Sequence, residues 1–239
     1  MPVIRWEKVD SVANVIMDQG ENRHNPEFIA DFLRVFDEVE ADKSIRALVL
    51  SSSDPKSWSQ GIDLNWVMSI LGDEVKREQL KGFLSGLNDM FIKMLTFPMP
   101  VIAAISGHTF GDGAIMACAC DFRFMRADRG FFCFPEVDLN IPFLPGMLAI
   151  VRRAFPYYKL EEMIFTGKRV GAQEMAEHHA IVKACPDLES LQTEVMAFAK
   201  TFQKERGIVR ELKKRMHKEI LEIIEKEDPP YINSMQLLA

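Results

Sequence analysis

No run of apolar residues in this 239-residue sequence reaches the roughly 18 to 20 needed to span a bilayer. The opening residues, Met-Pro-Val-Ile-Arg-Trp-Glu, lack the basic-then-apolar order of a secretory signal, so a cytoplasmic protein is expected. Cysteines are few. Cys118, Cys120, Cys133 and Cys185 show no CxxC spacing and sit mostly in apolar stretches, which reads as reduced core thiols rather than disulfides or zinc ligands. Positive charge is not in excess: 29 Lys plus Arg face 35 Asp plus Glu, a net charge of −6. That balance offers no global attraction to nucleic acid or to an anionic membrane. A GxSxG elbow, an HExxH pair and a P-loop are all missing, as are solenoid repeats and low-complexity tracts.

What is present is ordinary globular material, 48% hydrophobic and 27% charged, enough for one large domain or two small ones. Val12–Met17 and Ala47–Ser51 read as buried strands. Between them, Phe28, Ile29, Phe32, Leu33, Phe36 and Val39 recur at helical spacing over Pro26–Ala41, with Asn25 as N-cap and Pro26 in the first turn. Lys81–Leu95 is a second helix and Val101–Ile105 a third strand, an order that suggests an α/β layer with crossover connections. Beyond about Leu188 the strand signal stops. Leu191–Gln203 and Ile208–Glu225 read as helices, and Asp228-Pro229-Pro230 is expected to break the last one and leave a short tail. The expected division is therefore a core over residues 1–188 and a helical portion over 189–239.

Three segments could carry chemistry. Ile105-Ser106-Gly107-His108-Thr109-Phe110-Gly111-Asp112-Gly113 joins a strand to the apolar helix Ala114–Cys120, and backbone N–H groups at such a junction can stabilise an oxyanion. The bland alternative is a tight turn with Asp112 as a helix cap. Trp58-Ser59-Gln60-Gly61-Ile62-Asp63-Leu64 places a second glycine turn after another strand. Two such turns could aim two donors at one carbonyl oxygen, as a thioester enolate requires. The third, Phe131-Phe132-Cys133-Phe134-Pro135-Glu136-Val137-Asp138, surrounds two carboxylates with apolar residues. Desolvation would make such a carboxylate a stronger base; the alternative is a loop carboxylate in solvent or paired with Arg123, Arg126 or Arg129. In an extended segment Glu136 and Asp138 would face one side. The adjacent His178-His179 reads as a solvated helix end, and the 14 methionines as core filling.

In this order and spacing the segments resemble the crotonase superfamily of enoyl-CoA hydratases and isomerases. The resemblance covers most of Val3–Lys183, including Asn22-Arg23-His24-Asn25, Trp58–Leu64, Pro100–Gly107, Asp121, Phe134-Pro135-Glu136 and Phe165–Ala176. It implies an α/β fold, a spiral of β-β-α units in two sheets with C-terminal helices that help build a homotrimer or homohexamer. It also implies an acyl-CoA thioester as substrate, with coenzyme A entering as part of that substrate and no separate cofactor or metal.

Carried over by position, the oxyanion donors are the backbone N–H groups of Ile62 and Asp112, the latter in place of a glycine common in hydratases. Ser59, Gln60, Gly61, Leu64, Gly111, Gly113 and Ile115 fall at substrate-binding positions, and Arg23 or His24 at the coenzyme A phosphates. Hydratases of the superfamily carry two glutamates; here the first position is Ile115 and the second Glu136. Moving a double bond needs one base, which takes a proton from C2 and returns it at C4, and Δ3,Δ2-enoyl-CoA isomerases of the superfamily, particularly the plant peroxisomal type, use one glutamate at this position. The expected activity is therefore conversion of 3-enoyl-CoA to trans-2-enoyl-CoA in fatty-acid β-oxidation. The alternatives are a hydratase or another crotonase-type lyase or hydrolase, in which Asp112 or Asp138 supplies an extra acid, and a non-catalytic acyl-CoA-binding homologue.

Overall fold

A computed structural model describes residues 2–71 and 74–235. The chain opens with an antiparallel hairpin, β1 (Ile4–Val9) and β2 (Val12–Met17). A short β3 (Arg23–His24) leads into α1 (Pro26–Ala41). Helix α1 starts where expected, because the Asn25 side chain accepts from the Phe28 N–H at 3.0 Å and Pro26 occupies the first turn. Its buried face is Phe28, Ile29, Phe32, Val35, Phe36 and Val39. The next stretch holds β4 (Ala47–Ser52), β5 (Ser57–Ser59), β6 (Gly61–Ile62), α2 (Leu64–Ile70) and α3 (Glu74–Leu95). Then come β7 (Val101–Ile105), β8 (His108–Phe110), α4 (Asp112–Ala119), β9 (Phe122–Arg126), β10 (Phe132–Cys133) and α5 (Glu136–Leu139). Helices α6 (Pro145–Arg152), α7 (Tyr157–Thr166) and α8 (Ala172–Glu177) precede the last strand, β11 (Lys183–Cys185). The chain then runs through α9 (Leu188–Ala199), α10 (Arg206–Met216), α11 (Lys218–Lys226) and α12 (Asp228–Ser234).

The large sheet has the order β1-β2-β4-β7-β9-β11, with every pair after the hairpin parallel. A second parallel sheet runs β10-β8-β5, and β3 pairs with β6. Each turn of chain thus lays one strand in the large sheet, the next in a smaller one, and then a helix. This is the expected β-β-α spiral. All five residues of β7 are buried, as suits a central parallel strand covered on both faces. One face packs on the main core of α1, α3, α4 and α6; the other, through Val49, Ile102 and Phe124, packs on Leu191 and Val195 of α9.

The C-terminal helices differ from expectation in two places. The stretch Ile208–Glu225 is not one helix: it divides at His217, whose buried ring meets the Leu95 carbonyl at 2.8 Å. Asp228-Pro229-Pro230 does not end the helical portion but begins α12, since prolines are compatible with a first turn. Buried Asp228 there accepts from the Gly146 N–H at 2.8 Å and ties α12 to the start of α6. All four cysteines are free and buried, and burial pushes the Cys118 and Cys120 thiols up to about 12.

Candidate active site

The second glycine turn and the third segment meet at the start of α4. Gly61 has φ +72, and a Cβ there would lie 2.7 Å from the Phe110 carbonyl oxygen and 2.8 Å from the Asp112 nitrogen. Only glycine allows both that conformation and that approach. The turn before Ile62 is therefore packed backbone to backbone against the turn that opens α4. Asp112 is the first residue of that helix, so its N–H has no carbonyl one turn back to bond within the helix. Helix α4 begins two residues sooner than the sequence suggests and takes Asp112 and Gly113 into its first turn.

Glu136 reaches the same place from the other side. A Cβ on Gly111 would lie 3.4 Å from Glu136 Oε1. Phe132 and Phe134 precede it and are fully buried, with the Phe134 ring against Phe132, Phe143 and Phe155. No ion pair among the described residues includes Glu136, and its Oε2 is buried without a partner. Arg126 pairs with Asp128, and Arg123 donates to the carbonyls of Cys120 and Ala180. Desolvation, with a smaller contribution from the Asp112 charge, pushes the Glu136 carboxyl from 4.5 up to about 7. Asp138 does not share its face. Residues 136–139 form a helical turn rather than an extended segment, which sends side chains two apart to nearly opposite sides, and Asp138 packs instead over Gly167.

His24 is not where a phosphate could reach it. Its ring is fully buried, stacked on Phe28 at 4.5 Å, with Nδ1 2.5 Å from Asp112 Oδ2 and Nε2 3.0 Å from Ser59 Oγ. The sequence reading that set it at the coenzyme A phosphates is corrected by this burial. Arg23 is half-buried and paired with Glu21 at 2.9 Å. Gln60 is half-buried and donates to Ser57 Oγ, Leu64 is exposed at the start of α2, and Ile115 is buried inside α4.

Sequence residues 7–228 match the family model described as enoyl-CoA hydratase/isomerase. The chain belongs to that family. Enoyl-CoA delta isomerase 2, peroxisomal, of Arabidopsis thaliana is 27% identical over 171 residues, 71% of either chain. Enoyl-CoA delta isomerase 3 of the same plant is 27% identical over 158 residues, a match spanning 65% of its length. Among solved structures, an enoyl-CoA isomerase of Mycobacterium tuberculosis superposes with a TM-score of 0.86 at 19% identity, covering 98% of each chain. An enoyl-CoA hydratase from Bacillus halodurans does so at 0.85 and 20% identity, covering 98% of this chain and 97% of that one. Enzymes named for either reaction thus share the fold, and the choice between them rests on side chains.

Two features of this family member escaped sequence reasoning. One is an apolar cavity of about 550 Å³ opening beside Glu136 and lined by Ile141, Phe143, Leu148, Leu160 and Ile164. Those residues come from the loop after α5 and from α6 and α7, and no local pattern marks them as one wall. The other is the His24–Asp112–Ser59 cluster, whose members lie up to 88 positions apart. The one available signal was an acidic residue inside a glycine turn before an apolar helix. Among the described residues no helix is long and apolar enough to cross a membrane.

Proposed function

We propose that this chain converts 3-enoyl-CoA thioesters to trans-2-enoyl-CoA, with Glu136 as the only proton carrier. The observation that carries the reading is an unpaired, desolvated carboxylate lining an apolar cavity, held up to about 7 and adjoining the start of α4. A carboxylate so placed combines basicity with a conjugate acid able to give the proton back near neutral pH. The substrate's acyl tail would lie in the cavity and its thioester oxygen against the Ile62 and Asp112 N–H groups.

The Glu136 carboxylate removes a proton from C2, and the C–H electron pair moves into the conjugated enolate with its charge on the thioester oxygen. Backbone donors fixed in advance stabilise that charge. The new Glu136 carboxylic acid then delivers the same proton to C4, so the double bond shifts and no water is consumed. Ile115, buried and without charge, is the residue that the resemblance aligns with the hydratases' other glutamate, and an apolar side chain there would disfavour an oriented water. The isomerase names of the Arabidopsis relatives agree with this choice. The test is a product assay: the purified protein should shift the 3-enoyl double bond and hydrate crotonyl-CoA slower by orders of magnitude. Comparable hydration would replace this reading by the hydratase one.

A further inference from the structure

The position proposed above to supply the second oxyanion donor carries an aspartate where a side chain without charge would suffice. A free carboxylate at that point would repel the very charge the N–H is meant to stabilise. The structure shows where the carboxylate goes instead. Asp112, only 3% exposed, meets His24 Nδ1 at 2.5 Å. The far edge of the same ring meets Ser59 Oγ at 3.0 Å, and Ser59 Oγ in turn accepts from the Gly61 N–H at 3.1 Å and bonds the Asn22 carbonyl at 2.8 Å. One line of hydrogen bonds therefore runs from the turn before Ile62, through Ser59 and His24, to the first residue of α4. Phe28 of α1 stacks on the ring and fixes its plane.

We propose that His24 is a positioning residue that holds the Asp112 side chain away from the thioester oxygen and, through Ser59, locks the two donor turns in one register. Serine, histidine and aspartate in this contact order also form the arrangement of a nucleophilic triad. Here Ser59 is no nucleophile. It is fully buried behind the first turn of α4, where a Cβ on Gly113 would lie 2.6 Å from its oxygen, so no thioester carbon can approach it. The cluster's chemistry is directed at the backbone, not at substrate.

This inference rests on the oxyanion role proposed above, and the experiment separates the two. The probe is acetoacetyl-CoA, whose enolate absorbs in the near ultraviolet when an oxyanion site stabilises it. It is titrated into the wild type and into His24→Leu, Asp112→Gly and the double variant, with melting curves as the check on folding and 3-enoyl-CoA turnover as the second readout. His24→Leu, with the carboxylate released, should lose the enolate band and drop kcat by about 10²-fold, the scale of one lost oxyanion donor, while KM changes by less than about threefold. Adding Asp112→Gly should restore most of both, because the group that needed holding is gone. A wild type without an enolate band overturns the oxyanion reading and this inference with it. A wild type with the band, and a double variant no better than His24→Leu while both melt like the wild type, overturns the positioning role alone. If His24→Leu fails to fold, the decision passes to the double variant: folded with the band it supports the proposal, folded without it refutes it, and unfolded like the single variant it shows a ring required by the core whatever stands at 112, which also refutes it.

Discussion

Glu136→Gln should make the protein slower and, at alkaline pH, more stable. The carboxyl is raised from 4.5 to about 7 mainly by desolvation, so the folded state disfavours the ionised form. Below about pH 4.5 the group is protonated whether the chain is folded or not, and burial costs nothing through ionisation. Between about 4.5 and 7 the unfolded chain ionises first, and wild-type stability falls; above about 7 the loss is complete. At about 1.36 kcal/mol for each tenfold change, the ceiling is about 3 kcal/mol. Glu136 is half-buried and the glutamine amide would meet the same partnerless surroundings as Oε2, so a gain of about 1–2 kcal/mol is expected at pH ~8.5. For a domain of this length that is a rise in Tm of about 2–8 °C. The gain should shrink as the buffer is taken toward pH ~5.5, where the wild-type carboxyl is protonated in the fold. Turnover of 3-enoyl-CoA should meanwhile fall at least about 10²-fold, and the wild-type kcat/KM should rise with pH through a limb near 7. Differential scanning fluorimetry at both pH values and a coupled isomerase assay read the two effects. No alkaline stability gain would show that this carboxylate is not desolvated, and turnover like that of the wild type would show that it is not the base.

Gly61→Ala should cost more than about 2 kcal/mol and abolish activity, because a left-handed residue would be forced to place a Cβ 2.7 Å from the Phe110 carbonyl; a melting curve within about 1 °C of wild type would contradict the packing of the two turns. Arg23→Ala should raise KM for acyl-CoA several-fold with kcat little changed, since Arg23 is half-buried at the end of the short strand paired with β6 and its partner Glu21 is exposed. An unchanged KM would remove Arg23 from the coenzyme A path. Asp112→Asn should move the acid limb of kcat/KM to lower pH, because the Asp112 charge is one cause of the raised Glu136 carboxyl; the shift should be smaller than burial's share, and an upward shift would contradict the electrostatic argument.

Where local physics decides, the chain could be read directly. Asn25 and Pro26 announce α1, continuous apolar residues announce β4 and β7, and glycine at 61 and 111 marks turns that the structure packs together. The spiral itself came from family resemblance, since nothing in the spacing of short strands dictates which sheet each joins. What failed to show was long-range or decided by competition. Asp138 faces away from Glu136 because the four residues after Pro135 close a helical turn, a choice that apolar flanks do not reveal. The prolines at 229 and 230 break a helix only if one is already running; at its first turn they start one. His24 carries the most instructive difference. Beside Arg23 in sequence it looks like half of a basic patch, yet its neighbour is half-buried while it is sealed under α1 and α4. Histidine at 24 and aspartate at 112 are each unremarkable alone, and each in isolation would be costly to bury. Only the fold brings them within 2.5 Å, so the departure from glycine at 112 gains its physical explanation from a residue 88 positions away.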